Sequence, residues 1–184
     1  MTKQEMADDA ILSHRIDVNE LPLAGLDTDV VASDDQRAAL AEAYGLPAVN
    51  ALSAEVTVMP SGIGVTVSGR VKADIVQSCV VTLEPVAQHI DETFSVRFVP
   101  ADSREAAVPA REVVVDVADD SDPPEEMDGT SIDIGALVEE IFVLAIDPYP
   151  RAPGATLDVP EDDDGEGTAD SPFAVLRERK GEGA

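Results

Sequence analysis

Apolar and polar residues alternate along one long stretch of the chain, from residue 63 to residue 79. The apolar residues fall at odd-numbered positions: Ile63, Val65, Val67, Val71, Ala73 and Ile75. The even-numbered positions between them are mostly polar or charged. This period of two predicts a β-strand with one buried face. At about 3.3 Å per residue the stretch would extend over about 50 Å. We therefore expect a bend or a bulge near Gly69, where no side chain resists close packing.

The same period returns after the segment QSCVVTLEPV, which spans residues 77–86. The apolar positions are now even-numbered: Ile90, Phe94, Val96 and Phe98. Pro85 has no N–H with which to join a ladder, so it belongs at a turn or a strand edge. The two runs predict a hairpin with its connection around residues 81–87. Shorter alternating stretches predict further strands at 13–18, at 54–58 and at Arg111–Val117.

Two segments carry signals for helices. Ser33 and Gln36 form a predicted capping box at the start of the first helix, and Gly45 supplies a left-handed C-cap. A second helix is predicted over 133–146, with Asp133 as its N-cap. Its apolar residues recur at helical spacing: Ile134, Leu137, Val138, Ile141, Phe142 and Ala145. Glu139 and Glu140 lie off this stripe, which we expect to cover the apolar face of the sheet.

These elements predict an α+β domain over residues 12–150: a mostly antiparallel β-sheet packed by two amphipathic helices. Residues 1–11 are expected to be a disordered N-terminus, and the acidic, proline-rich stretch 118–129 a loop. Beyond the domain, 151–170 is expected to be an acidic flexible linker, since its composition cannot bury enough apolar surface to offset the entropy of ordering. The segment 171–184 is expected to form a short C-terminal helix.

Charge narrows the classes of partner. The chain carries 38 acidic and 12 basic residues, for a net charge of -26. Such a charge repels nucleic acid and anionic membranes and favours basic proteins, although solubility alone is an equally ordinary reason for it. No apolar run approaches the roughly 20 residues of a membrane span, and the N-terminus has no signal-peptide pattern. We expect a cytoplasmic protein that binds neither membrane nor DNA.

Cys79 is the only cysteine and poses three alternatives: a nucleophile, a metal ligand or a buried small side chain. A hairpin would bring His89 back toward it, but acidic surroundings are expected to raise rather than lower the pKa of a thiol. Cys79 also continues the apolar row of odd-numbered positions, which favours packing. One cysteine and two histidines cannot complete a zinc site. We therefore expect no metal and no cofactor.

Basic residues offer one candidate surface. Arg70, Lys72 and Arg97 are expected to point outward from the predicted sheet and could form a small patch that contacts RNA. The ordinary alternative is a solvated sheet face. At the predicted hairpin turn, Thr82, Glu84 and Pro85 are expected to be exposed and available to a partner.

The segments QSCVVTLEPV and IDPYPRAPGA, with SPFAVLRERK near the C-terminus, resemble the YceD family of large ribosomal RNA subunit accumulation proteins. The resemblance runs from about residue 12 to residue 180 and is of the alphaproteobacterial type. It adds Asp147, Tyr149 and Arg151 to the candidate partner-binding residues. Many members carry a second cysteine three positions after the first, where this chain has Thr82, and that difference puts a metal role in doubt.

The resemblance implies a non-enzymatic factor that supports accumulation of 23S ribosomal RNA and biogenesis of the large ribosomal subunit. The charge suggests that it binds a basic ribosomal protein, an assembly factor or a pre-ribosomal particle, with weak or indirect contact to the RNA. One alternative is an acidic, chaperone-like binder of a basic protein outside ribosome assembly. Another is a cysteine-dependent enzyme.

Overall fold

A computed structural model describes residues 10–103, 123–127 and 129–156. The elements in chain order are β1 Arg15–Asp17, β2 Leu26–Val31, α1 Asp34–Ala43, β3 Ala48–Ser61, β4 Gly64–Ser78, β5 Pro85–Pro100, β6 Glu125–Met127, β7 Ser131–Asp133 and α2 Ile134–Leu144. The predictions that fall outside the described residues are the disordered stretch at 1–9, the strand Arg111–Val117, the linker beyond 156 and the C-terminal helix 171–184.

Five of these strands form one sheet in the order β2-β3-β4-β5-β6. The first four pair antiparallel, and β6 joins β5 in parallel. β1 and β7 form a separate antiparallel pair beside the start of α2. The α+β class with a mostly antiparallel sheet is therefore confirmed.

The long central strand is continuous. β4 pairs with β5 from Val65 to Ser78 without a shift of register, so the bulge expected near Gly69 is wrong. The register shift lies instead in β3, between Val49 and Ala51. β4 has a comparably long partner on each side, so its backbone groups are paired along its length and nothing forces a break.

Gly69 has a different role from the one predicted. A Cβ at this position would lie 2.5 Å from the carbonyl oxygen of Glu55 and 2.9 Å from the ring of Phe94. The missing side chain therefore makes room for the Phe94 ring, which is only 9% exposed. This is close approach of neighbouring groups across a sheet, one of the two ordinary reasons for glycine inside a strand.

The core lies between the inner face of the sheet and the two helices. It consists mainly of small aliphatic side chains from the three long strands, among them Val58, Val65, Val67, Val71 and Ile75. α1 contributes Leu40 and α2 contributes Phe142, both fully buried. The odd-numbered row of β4 is buried as its alternation predicts, except that Ile63 lies in the turn before the strand and is exposed.

Both predicted helices are present with the predicted caps. The Ser33 hydroxyl accepts from the Gln36 N–H at 3.3 Å, and the Gln36 side chain accepts from the Ser33 N–H at 3.0 Å. Gly45 adopts a φ of 63° beyond the end of α1. Asp133 caps α2 by accepting from the Ala136 N–H. With ten and eleven residues, α1 and α2 are both too short to cross a membrane, and no other helix of the described part of the chain is long enough to do so.

Three strands were not predicted: β2, β6 and β7. β2 lacks a clean alternation, and Glu125–Met127 lies inside the stretch predicted as a loop. The loop prediction is wrong there because pairing with Phe98–Pro100 of β5 supplies the order that the local sequence does not. Met127 is 5% exposed and adds to the core.

Candidate functional site at the hairpin end

The loop between β4 and β5, residues 79–84, is named here the hairpin loop. Its backbone closes on itself: the Cys79 N–H donates to the Glu84 carbonyl at 2.8 Å, and the Leu83 N–H donates to the Cys79 carbonyl at 2.9 Å. Pro85 begins β5 opposite Ser78, where its missing N–H is tolerated. The loop is therefore a defined turn rather than a slack connection.

The segment that leaves α2, residues 145–152, packs against this loop. The Val80 N–H donates to the carbonyl of Pro150 at 2.9 Å, and the Ala152 N–H donates to the sulfur of Cys79 at 3.3 Å. The two segments that carry the most specific sequence resemblance are thus in direct contact. The hydrogen-bonded chain also continues past residue 150, where the flexible linker was expected to begin.

Two glutamines hold the same segment from the inner face of the sheet. Gln77 donates to the Asp147 carbonyl at 2.8 Å. Gln88 donates to the Ala145 carbonyl at 2.9 Å and accepts from the Asp147 N–H at 3.1 Å. The sequence analysis missed both. The available signal was a polar side chain, Gln77, at an inward position of an otherwise apolar row.

Cys79 is fully buried, as the alternation predicts. Its sulfur accepts backbone N–H groups from both sides of the contact: Ala152 at 3.3 Å, and Val81 and Thr82 at 3.4 Å. The Ala152 N–H and the Thr82 hydrogen bonds lower the pKa of the thiol to about 6, although burial opposes them. The expectation of a raised pKa is wrong because adjacent hydrogen-bond donors stabilise the thiolate more than burial disfavours it.

The structure does not assemble a Cys–His pair. His89 stands opposite Asp74 in the hairpin register and contacts its carboxylate at 2.8 Å. At about 3.3 Å per residue this position lies about 16 Å along the strand from Cys79. The thiol is also closed to solvent. Low pKa alone does not make a nucleophile here, because neither a base nor a substrate reaches the sulfur.

Three large apolar or aromatic side chains of the two joined segments are exposed. Leu83 is 78% exposed, Tyr149 is 73% exposed and Val80 is 47% exposed. We name these three residues the hairpin-end patch. Leu83 has a φ of 61°, the only left-handed non-glycine residue among the described residues. A branched side chain in that region is strained, and such strain is often found at functional sites.

Six of the predicted partner-binding residues lie at this end of the molecule, and all of them are exposed: Thr82, Glu84, Pro85, Asp147, Tyr149 and Arg151. The hairpin loop and the first residue of β5 present the first three, and the segment 145–152 presents the others. Their charges are two carboxylates and one guanidinium. Whether they bind a partner stays a prediction.

The three basic candidates lie elsewhere, on the outer face of the sheet. Arg70 is committed to Asp91 through two hydrogen bonds, one of them 2.6 Å long, and this pairing lowers the pKa of Asp91. Asp91 also stands opposite Lys72 in the register, and Glu55 stands opposite Arg70. Arg97 is farther along β5, opposite Thr66. The cations share a face, as expected, but carboxylates are interleaved with them.

A shallow cavity of about 220 Å³ lies on that outer face. Its charged lining consists of Asp29, Glu55, Arg70 and Lys72. Two carboxylates offset the two cations, so the cavity does not provide the uncompensated positive charge that binds phosphate. Among the described residues, no three His, Cys, Asp or Glu side chains are grouped as metal ligands.

The opposite end of α2 holds the N-terminal segment through carboxylates. Glu139 is 7% exposed and accepts from the Leu12 N–H at 2.9 Å and from the Tyr44 hydroxyl at 2.6 Å. A position off the apolar stripe is therefore no sign of exposure in this helix. Burial, together with the bond to Glu139, raises the pKa of Tyr44.

Asp133 makes the second such contact. Burial acts to raise its pKa, but hydrogen bonds from the His14 N–H, the Ser13 hydroxyl, the Ala136 N–H and Arg15 outweigh burial and leave the pKa below its usual value. The bonds from Ser13 and His14 measure 2.7 and 2.8 Å. Both carboxylates therefore serve the fold, since backbone and side-chain donors of the chain itself occupy them.

Comparison with known families adds the decisive observation. The model of the family described as "Large ribosomal RNA subunit accumulation protein YceD" matches residues 67–180, more than half of the chain. The chain belongs to the YceD family. The matched part of this YceD member includes the hairpin loop, α2 and the segment 145–152. It begins well after residue 12, where the resemblance was expected to start. No curated protein and no solved structure matches the chain.

Proposed function

We propose that this protein is a non-enzymatic factor that supports the accumulation of 23S ribosomal RNA and the biogenesis of the large ribosomal subunit in the cytoplasm. The observation that carries the proposal is the family match over residues 67–180, whose description names accumulation of the large-subunit RNA. The match includes the contact between the hairpin loop and the segment 145–152. A role common to the family is therefore best sought at this end of the molecule.

The partner we propose is a basic ribosomal protein or assembly factor, alone or within a pre-ribosomal particle. The net charge of -26 attracts basic proteins and repels free RNA. Arg70 and Lys72, which would be needed for direct RNA contact, are offset by neighbouring carboxylates. RNA contact through this face is accordingly expected to be weak or indirect.

The environment of Cys79 supports a non-catalytic role. Its sulfur is buried and accepts three backbone N–H groups, so the thiol joins two segments of the fold. A nucleophile needs an approach path and a base within hydrogen-bond reach. His89, the nearest candidate along the chain, is bound to Asp74 instead.

Sedimentation tests the proposal. Tagged full-length protein is expected to co-migrate with precursors of the large subunit in a sucrose gradient. The ratio of 23S to 16S ribosomal RNA is expected to be lower in a deletion strain than in its parent. Normal 23S levels together with no co-migration would overturn the proposal. Co-purification with a basic protein unrelated to ribosomes would favour the chaperone-like alternative.

A further inference from the structure

Hydrogen bonds fix the backbone segments that carry the hairpin-end patch. The carbonyl of Pro150, the side chains of Gln77 and Gln88, and the sulfur of Cys79 all bond to the backbone beneath it. These bonds join the hairpin loop and the adjoining ends of β4 and β5 to the segment 145–152. Leu83 and Tyr149, which come from the two joined segments, are therefore held on one pre-organised surface. Pre-organisation lowers the entropy lost when a partner binds.

The exposed side chains of the hairpin-end patch have no evident benefit for the fold. Leu83 is 78% exposed and sits in a left-handed backbone conformation that glycine or asparagine would adopt with less strain. Tyr149 is 73% exposed, so most of its ring contacts solvent rather than the core. Exposed apolar and aromatic side chains on a fixed scaffold are typical of binding hot spots.

We propose that Val80, Leu83 and Tyr149 form the docking surface for an apolar-anchored segment of a basic ribosomal or assembly protein. This inference rests on the proposed function and deepens it by assigning the surface and the chemistry of the partner segment. The segment presents one or two large apolar side chains to the patch. Lysine or arginine residues beside them face the carboxylates of Glu84 and Asp147.

Charge favours a basic protein segment over two other occupants, a second copy of the chain and RNA. A second copy of the chain would bring a net charge of -26 against the same charge, and the two would repel each other. RNA would also be repelled, and the predicted partner-binding residues at this end of the molecule include a single arginine, Arg151, together with two carboxylates. A basic protein segment instead gains both apolar burial and opposite charge.

The experiment measures binding of the full-length chain to two probes. The first probe is the protein fraction stripped from large ribosomal subunits by high salt, with each bound protein identified and then titrated singly. The second probe is naked 23S ribosomal RNA. The test variants are Leu83→Asn and Tyr149→Ser. Asparagine accepts the left-handed backbone of position 83, so this variant removes the apolar side chain without new strain.

Leu23→Ser supplies the matched control. Leu23 is 95% exposed, just before β2. Gly25, two residues further on, lies against Met59, which pairs with Thr66 near the start of β4. At about 3.3 Å per residue that end lies about 40 Å along β4 from Ser78. The control thus removes an equally exposed leucine at the other end of the sheet.

We expect the wild-type chain to bind one or more basic large-subunit proteins, and each patch variant to weaken that binding by at least about tenfold. The Leu23→Ser variant should stay within about twofold of the wild type. Wild-type affinity in both patch variants would overturn the proposed surface. The same conclusion would follow if the wild-type chain bound 23S RNA more tightly than any of the proteins and if the patch variants lost that RNA binding.

A gradient separates this failure from failure of the proposed function. If Leu83→Asn and Tyr149→Ser chains still co-migrate with large-subunit precursors as the wild type does, the function stands and the assigned surface is wrong. If the wild-type chain neither co-migrates nor binds any protein of the stripped fraction, both proposals are wrong. Loss of co-migration in the patch variants alone supports both.

Discussion

At each end of α2 a neighbouring segment is held by hydrogen bonds, but the groups that accept these bonds differ. In each, side-chain acceptors of the folded core bind the backbone of a segment that would otherwise be loose. Near the start of α2, Asp133 and Glu139 hold residues 12–14 with carboxylates. Beyond its C-terminus, Cys79 and Gln88 hold residues 145–152 with a sulfur and an amide.

The difference separates a structural contact from a candidate site. Hydrogen bonds to the two carboxylates are short and charge-assisted, whereas those to the sulfur of Cys79 are longer, at 3.3–3.4 Å. At the carboxylate end Leu12 and Ile134 are buried, and Tyr44, whose hydroxyl bonds to Glu139, is 37% exposed. At the other end, beside Cys79, the side chains of Leu83 and Tyr149 are exposed to solvent. An element that stabilises only the fold would not need that exposure.

The largest effect is expected from Glu139→Ala. The change leaves the buried Leu12 N–H and the Tyr44 hydroxyl without their acceptor, which is expected to lower the free energy of unfolding by about 3 kcal/mol. Urea denaturation measures it. Glu140→Ala, which removes the same charge from an exposed position of the same helix, should change the midpoint little. Equal effects of the two variants would contradict the assigned role of Glu139.

Asp133→Ala is expected to cost about 2 kcal/mol, since it removes an N-cap and the acceptor of the His14 N–H. The pKa of Asp133 is lowered in the folded chain, so its contribution is complete above its unfolded pKa of about 3.9 and is lost as pH falls further. The gap in urea midpoint between wild type and variant should therefore narrow below about pH 4. A gap independent of pH would show that the carboxylate form is not what stabilises this end.

A smaller effect is expected from Cys79→Ala. The thiol has a folded pKa of about 6, below its ordinary value of about 8.5. A lowered acid pKa stabilises the fold fully above the unfolded pKa, and this stabilisation is lost as pH falls through the folded one. The difference in urea midpoint between wild type and Cys79→Ala should thus grow from about pH 6 to about pH 8.5. In the variant, amide exchange at Ala152 should also be faster. A constant difference and unchanged exchange would contradict the thiolate contact.

The smallest effect, with the opposite sign, is expected from Leu83→Asn. Relief of a left-handed leucine should raise the free energy of unfolding by up to about 1 kcal/mol. The measured quantity is again the urea midpoint, with Leu23→Ser as the exposed control. Destabilisation by Leu83→Asn would mean that Leu83 packs for the fold, and it would weaken the contrast between the two ends of α2.

Local pattern predicted much of the architecture. The alternation from Val65 to Ile75 and the capping residues Ser33 and Asp133 act within a few residues of themselves, so the sequence shows their consequences directly. The position of the bulge was not predictable from Gly69, because the length of the partner strands decides whether a long strand must break. β6 was missed because its order comes from pairing with β5, far away in the chain.

The sequence predicted which residues belong to the candidate site, but not the contacts that bring them together. The predicted hairpin turn selected Thr82 and Glu84, and the family resemblance added Tyr149 and Arg151. Their meeting at one end of the fold depends on Gln77 and Gln88, which look like ordinary strand residues in sequence. The low pKa of Cys79 depends on the Ala152 N–H, contributed from the segment after α2.

The sequence by itself determined the periodicities, the caps, the acidic charge and the family resemblance, because each of these is a property of neighbouring residues or of composition. Only the tertiary structure decided that Cys79 accepts three N–H groups, that Glu139 is buried and that Leu83 and Tyr149 stand on one fixed surface. These outcomes depend on contacts between residues that are distant along the chain. Their energies come from burial and hydrogen-bond geometry, which exist only once the chain has folded.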